Sequence, residues 1–206
     1  MKMATKSKLR EHKIIKSETA SSKIFTNNIS SDFTTIPYSK PSEYIKYCWD
    51  KYCAYAVTRK PNNALNGKVF ELIVETCLYL EKITPMFLQA KVTFVPNVDF
   101  DIILYSDEQY PIALSLKTSL RERYKQADLE AIALKYVHRN AQNYLIMLNS
   151  KETDALKSKL KKGELLGINA VIAADTNEFD ELILMLKGKI FINPGKVDII
   201  TGYIVN

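Results

Sequence analysis

One stretch of the chain constrains the fold more than any other: a short apolar run that carries a single lysine and turns directly into a basic segment. Residues 112–117 read IALSLK, and residues 118–131 continue as TSLRERYKQADLEA. The apolar run is short and follows a turn, which predicts a buried strand that ends at Lys117. The basic segment predicts a helix from about 120 to 137. A strand that leads into a helix in this way is typical of a mixed α/β core.

The remaining elements predict the same kind of core. Apolar runs at 91–95 and 98–105 predict two strands that form an antiparallel meander with 112–117. Continuous apolar runs at 143–148 and 169–174 predict two further buried strands. Helices are predicted at 42–58, 68–80, 120–137, 151–162 and 178–187, and short strands at 189–193 and 198–205. We expect an α/β (α+β mixed sheet) fold in which a central mixed β-sheet is flanked by helices.

Composition predicts one domain with an appended arm. The chain has 206 residues and is 47% hydrophobic, which is enough for a single core. Residues 1–36 are rich in Lys, Ser, Thr and Asn and place their apolar residues without period, which predicts a basic, flexible N-terminal arm. Residues 37–206 are expected to form a single domain with its catalytic core at about 67–150.

Other classes of protein are excluded by what the sequence lacks. No apolar run approaches the roughly 18 residues needed to span a bilayer, and no apolar region of a secretory signal is present near the N-terminus. The three cysteines form no CxxC pair, and the two histidines have no companion at metal-ligand spacing, so no zinc site is expected. We expect a cytoplasmic protein with no membrane partner.

Carboxylates and a lysine are predicted to meet across the central strands. Side chains two residues apart point to the same face of a strand, so Asp99 and Asp101 share a face. Ser115 and Lys117 share a face for the same reason, and pairing of the two strands brings Asp101 towards Lys117. The Asp101 carboxylate, the Leu116 carbonyl and water are hard oxygen ligands of the kind that Mg²⁺ binds. Lys117 is placed to orient or deprotonate an attacking water and to stabilise charge on a phosphate.

An acidic pair lies on the helix that is predicted before these strands. Glu71 and Glu75 are spaced i and i+4, so they share one face of the helix 68–80. Either carboxylate could complete the oxygen shell of the cation, directly or through a bound water. Either Asp99 or Asp101 could likewise be the strand ligand, and Asp101 is favoured because the apolar run starts directly after it.

This order of residues resembles the PD-(D/E)xK nuclease superfamily, which includes most type II restriction endonucleases and the archaeal Holliday-junction resolvases. GKVFE carries Glu71, VDFDIIL carries Asp101, and SLK supplies Ser115 and Lys117. The resemblance implies a restriction-endonuclease-like core in which these four residues are catalytic. It also implies Mg²⁺, or Mn²⁺ in its place, held by Asp101, the Leu116 carbonyl and Glu71. The chain departs from the family at Ser115, where an acid is usual, so Glu71 is expected to carry more of the metal binding.

The segment after Lys117 is predicted to contact DNA. Arginine side chains bind phosphates and guanine edges, and a serine at a helix start directs backbone amides towards an anion. Gln126 occupies a position where related nucleases often carry a residue that supports the site. The predicted DNA-binding residues are Ser119, Arg121, Arg123, Tyr124, Lys125 and Gln126.

The resemblance therefore implies a Mg²⁺-dependent, site-specific double-strand DNA endonuclease of the type II restriction class. Cutting both strands symmetrically predicts a homodimer, with the tyrosine-rich helix 42–58 as a candidate interface. The family further implies a cognate DNA methyltransferase that protects the host DNA. Two alternatives stay open: a structure-specific nuclease of the junction-resolvase or repair type, and a catalytically inactive DNA-binding module of the same fold, which Ser115 favours.

Overall fold

A mixed β-sheet forms the centre of the protein. The computed structural model describes residues 7–119, 123–148, 150–194 and 200–206. In this part of the chain the strands are β1 (Met86–Val92), β2 (Phe100–Tyr105), β3 (Pro111–Lys117), β4 (Gln142–Met147), β5 (Ala170–Ala173) and β6 (Ile200–Val205), in the spatial order β5-β4-β3-β2-β1-β6. The neighbours from β6 to β3 are antiparallel, and β3, β4 and β5 are parallel. The expected fold class, a mixed sheet flanked by helices, is confirmed.

Helices cover both faces of this sheet. They are α1 (Lys8–Glu11), α2 (Ala20–Ile24), α3 (Pro41–Arg59), α4 (Asn63–Leu80), α5 (Arg123–Val137), α6 (Ser150–Lys161) and α7 (Asn177–Lys187). Ile102 and Leu104 of β2 face the core formed with α3, α4 and α7, whereas Ile103 between them faces Leu134 of α5. This alternation follows from the period of two along a strand. No helix in the described ranges has both the length and the apolar character required to cross a bilayer.

The N-terminal segment belongs to the folded domain, in contrast to the expected flexible arm. Residues 7–36 contain α1, α2, a π-helical turn and a 3₁₀ turn, and Leu9, Phe25 and Phe33 are buried in the main core. Each of these elements is only three to five residues long. One or two apolar residues per element produce no helical period, which is why the pattern looked like that of an unstructured arm.

The strands predicted at 91–95 and 189–193 differ most from the structure. β1 begins at Met86 rather than at 91, because Met86, Phe87 and Leu88 pair with β2 and are buried. The residues expected at the end of that strand instead form a turn, in which Phe94 has φ 66°. The expected strand at 189–193 contributes an isolated bridge between Phe191 and Ser106.

The tyrosine stripe of α3 is mainly part of the core. Tyr44 and Tyr52 are buried, and their hydroxyls bond to Thr76 and Asn66 respectively. Tyr47 is the exposed member of the stripe. Aromatic residues at helical spacing therefore fix α3 against α4, and the large apolar side chains that α3 leaves exposed are Tyr47 and Val57.

Candidate active site

The central feature of the candidate site is the point at which β2 and β3 separate. Their backbone register runs from Tyr105 opposite Pro111 to Ile102 opposite Leu114. At Asp101, the residue before Ile102, the strands are joined by a side chain instead of by the backbone. Asp101 Oδ2 accepts a hydrogen bond of 2.8 Å from the Leu116 N–H. The separated strands open a cleft of about 290 Å³ between the start of α4 and the start of α5.

Lys117 and Asp101 form an ion pair in this cleft. Lys117 Nζ lies 3.0 Å from Asp101 Oδ2, and both side chains are mostly buried. The same carboxylate oxygen therefore accepts from a backbone amide and from an ammonium group. In an extended strand the N–H and C=O of one residue point to the same edge, so the Leu116 carbonyl also faces the side on which Asp101 lies. The cleft thus combines a fixed carboxylate, a carbonyl oxygen and a cation.

Asp99, the alternative strand acid, lies outside this arrangement. It precedes β2, its side chain is mostly exposed, and its Oδ1 is 3.7 Å from Nζ of the exposed Lys91. Asp101 and Asp99 are therefore a chemically matched pair in different surroundings. The structure brings Asp101 to Lys117 and leaves Asp99 at the surface.

Glu71 reaches the cleft from α4. Its Oε2 is 2.6 Å from Lys68 Nζ and accepts a bond of 3.1 Å from Gln89 Nε2. Burial, and then the negative charge of Asp101, raise the pKa of the Glu71 carboxyl, and the Lys68 ammonium opposes this rise. A carboxyl whose charged form is disfavoured by a neighbouring carboxylate gains most when a divalent cation joins the two.

Glu75, the alternative helical acid, faces a different cavity. It is fully buried and lines a space of about 590 Å³ with Leu72 of α4, Leu88 of β1 and Tyr203 of β6. Burial, and then the charge of Glu71, raise its pKa to about 8. At neutral pH this side chain is thus a neutral carboxylic acid, unlike a ligand that must be ionised to bind a cation.

The raised pKa of Glu75 predicts a pH-dependent stability. The folded chain keeps this proton up to about pH 8, whereas an unfolded chain releases it near pH 4.5. The folded state binds more protons between these values, so its stability is fully present below the lower one and falls as the pH rises towards the higher one. We expect Glu75→Gln to remove this decline. The melting temperature of the variant minus that of the wild type should therefore increase as the pH rises from about 5 to 8. Glu181→Gln, on the exposed face of α7, is the control, and parallel curves for all three proteins would contradict the assignment.

Glu130, which was not predicted from the sequence, lies within electrostatic range of Lys117 and Asp101. It lies on α5, and its Oε1 accepts a bond of 2.7 Å from Gln126 Nε2. Burial raises the pKa of the Glu130 carboxyl, and the charges of Lys117 and Asp101 act on it in opposite directions. The sequence feature that could have identified Glu130 is its position four residues after Gln126, on the same face of the predicted helix. Ser115 carries no charge, whereas Glu130 is an acid on α5 whose carboxyl interacts electrostatically with Lys117 and Asp101.

The predicted DNA-contacting residues are placed differently from one another. Ser119 and Gln126 line the cleft, and Lys125 is exposed. Tyr124 instead is half-buried, packs against the core between α5 and α6, and has Lys159 Nζ 5.9 Å from its ring centre. Arg121 and the side chain of Arg123 lie outside the described residues, as does the link 120–122 from Ser119 to α5, so the predicted helix cap at Ser119 stays a prediction.

The donor set of the cleft fits a magnesium ion. Mg²⁺ is usually held by one or two carboxylates together with substrate phosphate and water. Among the residues that the structure describes, no three His, Cys, Asp or Glu side chains converge into a complete metal cluster. Asp101 and the Leu116 carbonyl, with Glu71 and Glu130 nearby, meet the smaller requirement of Mg²⁺ without such a cluster.

Comparison with known proteins identifies the fold. No protein-family model matches the chain, and no curated protein sequence matches it. The solved complex of the restriction endonuclease PspGI with substrate DNA is similar in structure at 12% sequence identity, with a TM-score of 0.50, over 88% of this chain and 90% of that chain. Metal-depleted Ecl18kI in complex with uncleaved, modified DNA matches at 18% identity with a TM-score of 0.38, over 71% of this chain and about half (52%) of that chain. The likeness to PspGI shows a restriction-endonuclease-like fold.

Proposed function

We propose that this chain, which has the restriction-endonuclease-like fold, is a Mg²⁺-dependent, site-specific double-strand DNA endonuclease. The observation that carries the proposal is the contact between Asp101 and Lys117 in a cleft where two strands separate. A carboxylate and an ammonium group at one open sheet edge suit the hydrolysis of a phosphodiester, which needs a bound cation and stabilisation of negative charge. PspGI, whose fold this chain shares, was solved with its DNA substrate, which supports DNA as the polymer.

Each residue of the cleft has a role that suits this reaction. Lys117 Nζ holds the attacking water by a hydrogen bond and stabilises the negative charge that develops on the phosphate oxygens. The Leu116 N–H keeps the Asp101 carboxylate directed into the cleft. Asp101, the Leu116 carbonyl and Glu71 would hold Mg²⁺, or Mn²⁺ in its place, and the ion would supply Lewis acidity towards the scissile phosphate.

Glu130 compensates for the uncharged Ser115. A serine in place of an acid removes one negative charge from the strand, and Ser115 then supports the site through its hydroxyl alone. Glu130 supplies a carboxylate from the neighbouring helix, held in place by Gln126. Glu130 would thus restore, from α5, the negative charge that the strand lacks at Ser115.

We expect Glu130→Gln to lower the DNA-cleavage rate by about 10- to 100-fold and to raise the Mg²⁺ concentration needed for half-maximal rate. The reason is the loss of one negative charge beside the cation, with little change in shape. Glu181→Gln is a matched control, because Glu181 also accepts a bond of 2.7 Å from an amide four residues earlier, Asn177, but on α7. Equal Mg²⁺ titrations for the two variants would contradict a role for Glu130.

The partners follow from the same cleft. Lys68 and Ser119 line it, and Arg121, Arg123 and Lys125 add positive charge to the sequence that follows Lys117. Such side chains bind DNA phosphates and base edges. A symmetric double-strand cut requires two clefts, which suits a homodimer. A restriction enzyme of this kind would act in the cytoplasm beside a cognate DNA methyltransferase.

The proposed function is tested by incubating the purified protein with long linear phage DNA and Mg²⁺. Discrete fragments are expected, and a chelator should prevent them. A smear, or a preference for branched over linear duplexes, would instead indicate a structure-specific nuclease that reads DNA shape. Intact DNA in Mg²⁺ and in Mn²⁺ would contradict an enzymatic function.

Ser115 supports one alternative, a DNA-binding module that has kept the fold without the chemistry. This alternative predicts salt-sensitive binding of duplex DNA with no cleavage under any divalent cation. It also predicts that Lys117→Ala weakens binding no more than the removal of another lysine at the cleft, such as Lys68. A cleavage assay and a binding assay on the same protein preparation separate the two functions.

A further inference from the structure

Helix α5 carries apolar side chains on the side that faces away from the protein. Leu129, Ile132 and Tyr136 are spaced i, i+3 and i+7, which places them on one side of the helix. Leu129 is 66% exposed and Tyr136 is 88% exposed, and Ile132 between them is half-buried. The opposite, buried side consists of Ala127, Ala131 and Leu134. A helix that is apolar on two opposite sides is expected to have a packing partner on both.

A leucine from a neighbouring loop extends this surface. Leu166 is 73% exposed, and its N–H donates a hydrogen bond of 3.2 Å to Asp128 Oδ2. Asp128 directly precedes Leu129 of the helix. Gly167, the next residue, lies directly against the α5 backbone at Ile132. Leu129, Ile132, Tyr136 and Leu166, which we call the α5 stripe, therefore form one surface on a firmly held support.

We propose that the α5 stripe is the surface through which two copies of this chain form a twofold dimer. This inference rests on the proposed function for its purpose, because a double-strand cut needs two clefts in a fixed relation. α5 connects the cleft to the stripe: Gln126 on this helix lines the cleft, and the stripe lies on the same rigid element. A twofold contact through α5 sets the separation of the two Lys117 side chains directly.

The chemistry of the stripe suits a second copy, and its size suits the centre of a larger interface. A tyrosine buries about 150–250 Å² on association, so Tyr136 with two exposed leucines supplies about half of the roughly 800 Å² that a stable interface needs from each partner. The centre of the stripe is uncharged, and Lys125 and Arg139 lie exposed towards its ends. An apolar centre containing tyrosine with a charged rim is the usual composition of an interface between proteins.

Two other assignments agree less well with the surface. DNA is an unsuitable occupant, because an uncharged centre releases no counterions from phosphates. The tyrosine-rich α3 is an unsuitable interface, because its exposed face carries the Lys46–Asp50 ion pair near Tyr47 and its other tyrosines are largely buried. The homodimer contact is therefore assigned to α5 rather than to α3.

The test measures the molar mass in solution by light scattering at several protein concentrations. The wild type is expected to have the mass of two chains. A double variant, Leu129→Glu with Tyr136→Glu, is expected to have the mass of one chain, with the dimer dissociation constant raised at least about 100-fold because like charges would meet at the twofold axis. Leu184→Glu on α7 is the matched control, since Leu184 is 72% exposed and outside the stripe. Circular dichroism confirms folding, and Leu166→Glu replaces the double variant if that one fails to fold.

The outcomes separate the interface from the proposed function. Lys117→Ala must stay dimeric, because the cleft is not part of the stripe. A monomeric wild type, or a stripe variant that stays as dimeric as Leu184→Glu, would overturn the interface even if DNA is cut. A dimer that never cuts DNA would keep the interface and contradict the proposed function. If both hold, the monomeric variant should nick supercoiled plasmid and accumulate the open circle, whereas the wild type linearises it.

Discussion

Replacement of Lys117 by alanine is expected to slow DNA cleavage by about 10³-fold while DNA binding stays within a few-fold of the wild type. Lys117 Nζ is paired with Asp101 in the cleft, and it is a group that can both hold a water and stabilise charge on the phosphate. Cleavage is measured as a single-turnover rate on a linear duplex in Mg²⁺. Binding is measured by fluorescence anisotropy on the same duplex in Ca²⁺.

The chain contains a matched control for this substitution. Lys91 is also a strand lysine beside an aspartate, but its side chain is exposed. Its Nζ lies 3.7 Å from Oδ1 of Asp99, which is at the other end of the turn that joins β1 to β2. Lys91→Ala is expected to leave the cleavage rate unchanged, since exposed ion pairs contribute little. The same comparison applies to Asp101→Asn and Asp99→Asn. Equal losses for the two lysines would show that charge alone, and not the cleft, accounts for the effect.

Replacement of Gly167 by alanine is expected to destabilise the fold by about 3 kcal/mol, the upper part of the range for overpacked sites. A Cβ at this position would lie 2.5 Å from the Ile132 N and 2.6 Å from the Asp128 carbonyl oxygen. Both atoms belong to the backbone of α5 and cannot rotate away. The Asp128 carboxylate also accepts from the N–H groups of Leu166, Gly167 and Ile168, so any movement of the loop breaks these bonds. Urea denaturation gives the change in the free energy of unfolding.

Gly67 provides the opposite case for the same substitution. It lies inside α4, and a Cβ there would meet nothing within 4 Å. Gly67→Ala is therefore expected to stabilise the protein by roughly 0.5–1 kcal/mol, because alanine loses less backbone freedom on folding. A loss of stability for Gly67→Ala comparable to that of Gly167→Ala would contradict the packing described here.

The central strands could be predicted from the sequence because local pattern determines them. The strands predicted at 98–105, 112–117 and 143–148 lie within two residues of β2, β3 and β4. Their apolar runs are continuous because helices cover both faces. The N-terminal segment could not be predicted in this way, because Leu9, Phe25 and Phe33 join the core from short elements that have no period. The pairing of β6 with β1 depends on contacts between residues far apart in the chain, which no local pattern encodes.

The candidate site likewise has some features that the local sequence pattern predicts and others that depend on tertiary packing. The approach of Asp101 to Lys117 follows from the period of two along paired strands, so it could be predicted from spacing alone. The choice between Asp99 and Asp101 depends on where β2 begins. The strand begins at Phe100 rather than at 98, so Asp101 lies in the strand and Asp99 precedes it. The position of Glu130 and the inward packing of Tyr124 depend on the rotation of α5 over the sheet, which Asp128 and Gly167 fix through the loop at 166–168. That rotation is a property of the tertiary structure.

The central claim is that the Asp101–Lys117 cleft hydrolyses DNA with a divalent cation. The most direct measurement is the cleavage rate of a linear duplex by the wild-type protein during a Mg²⁺ titration, with Asp101→Asn titrated in parallel. We expect the wild-type rate to rise with Mg²⁺ to a plateau and to vanish with a chelator, and Asp101→Asn to stay near the uncatalysed rate throughout. Superimposable titrations for the two proteins, or a duplex that both bind and neither cuts, would contradict the claim.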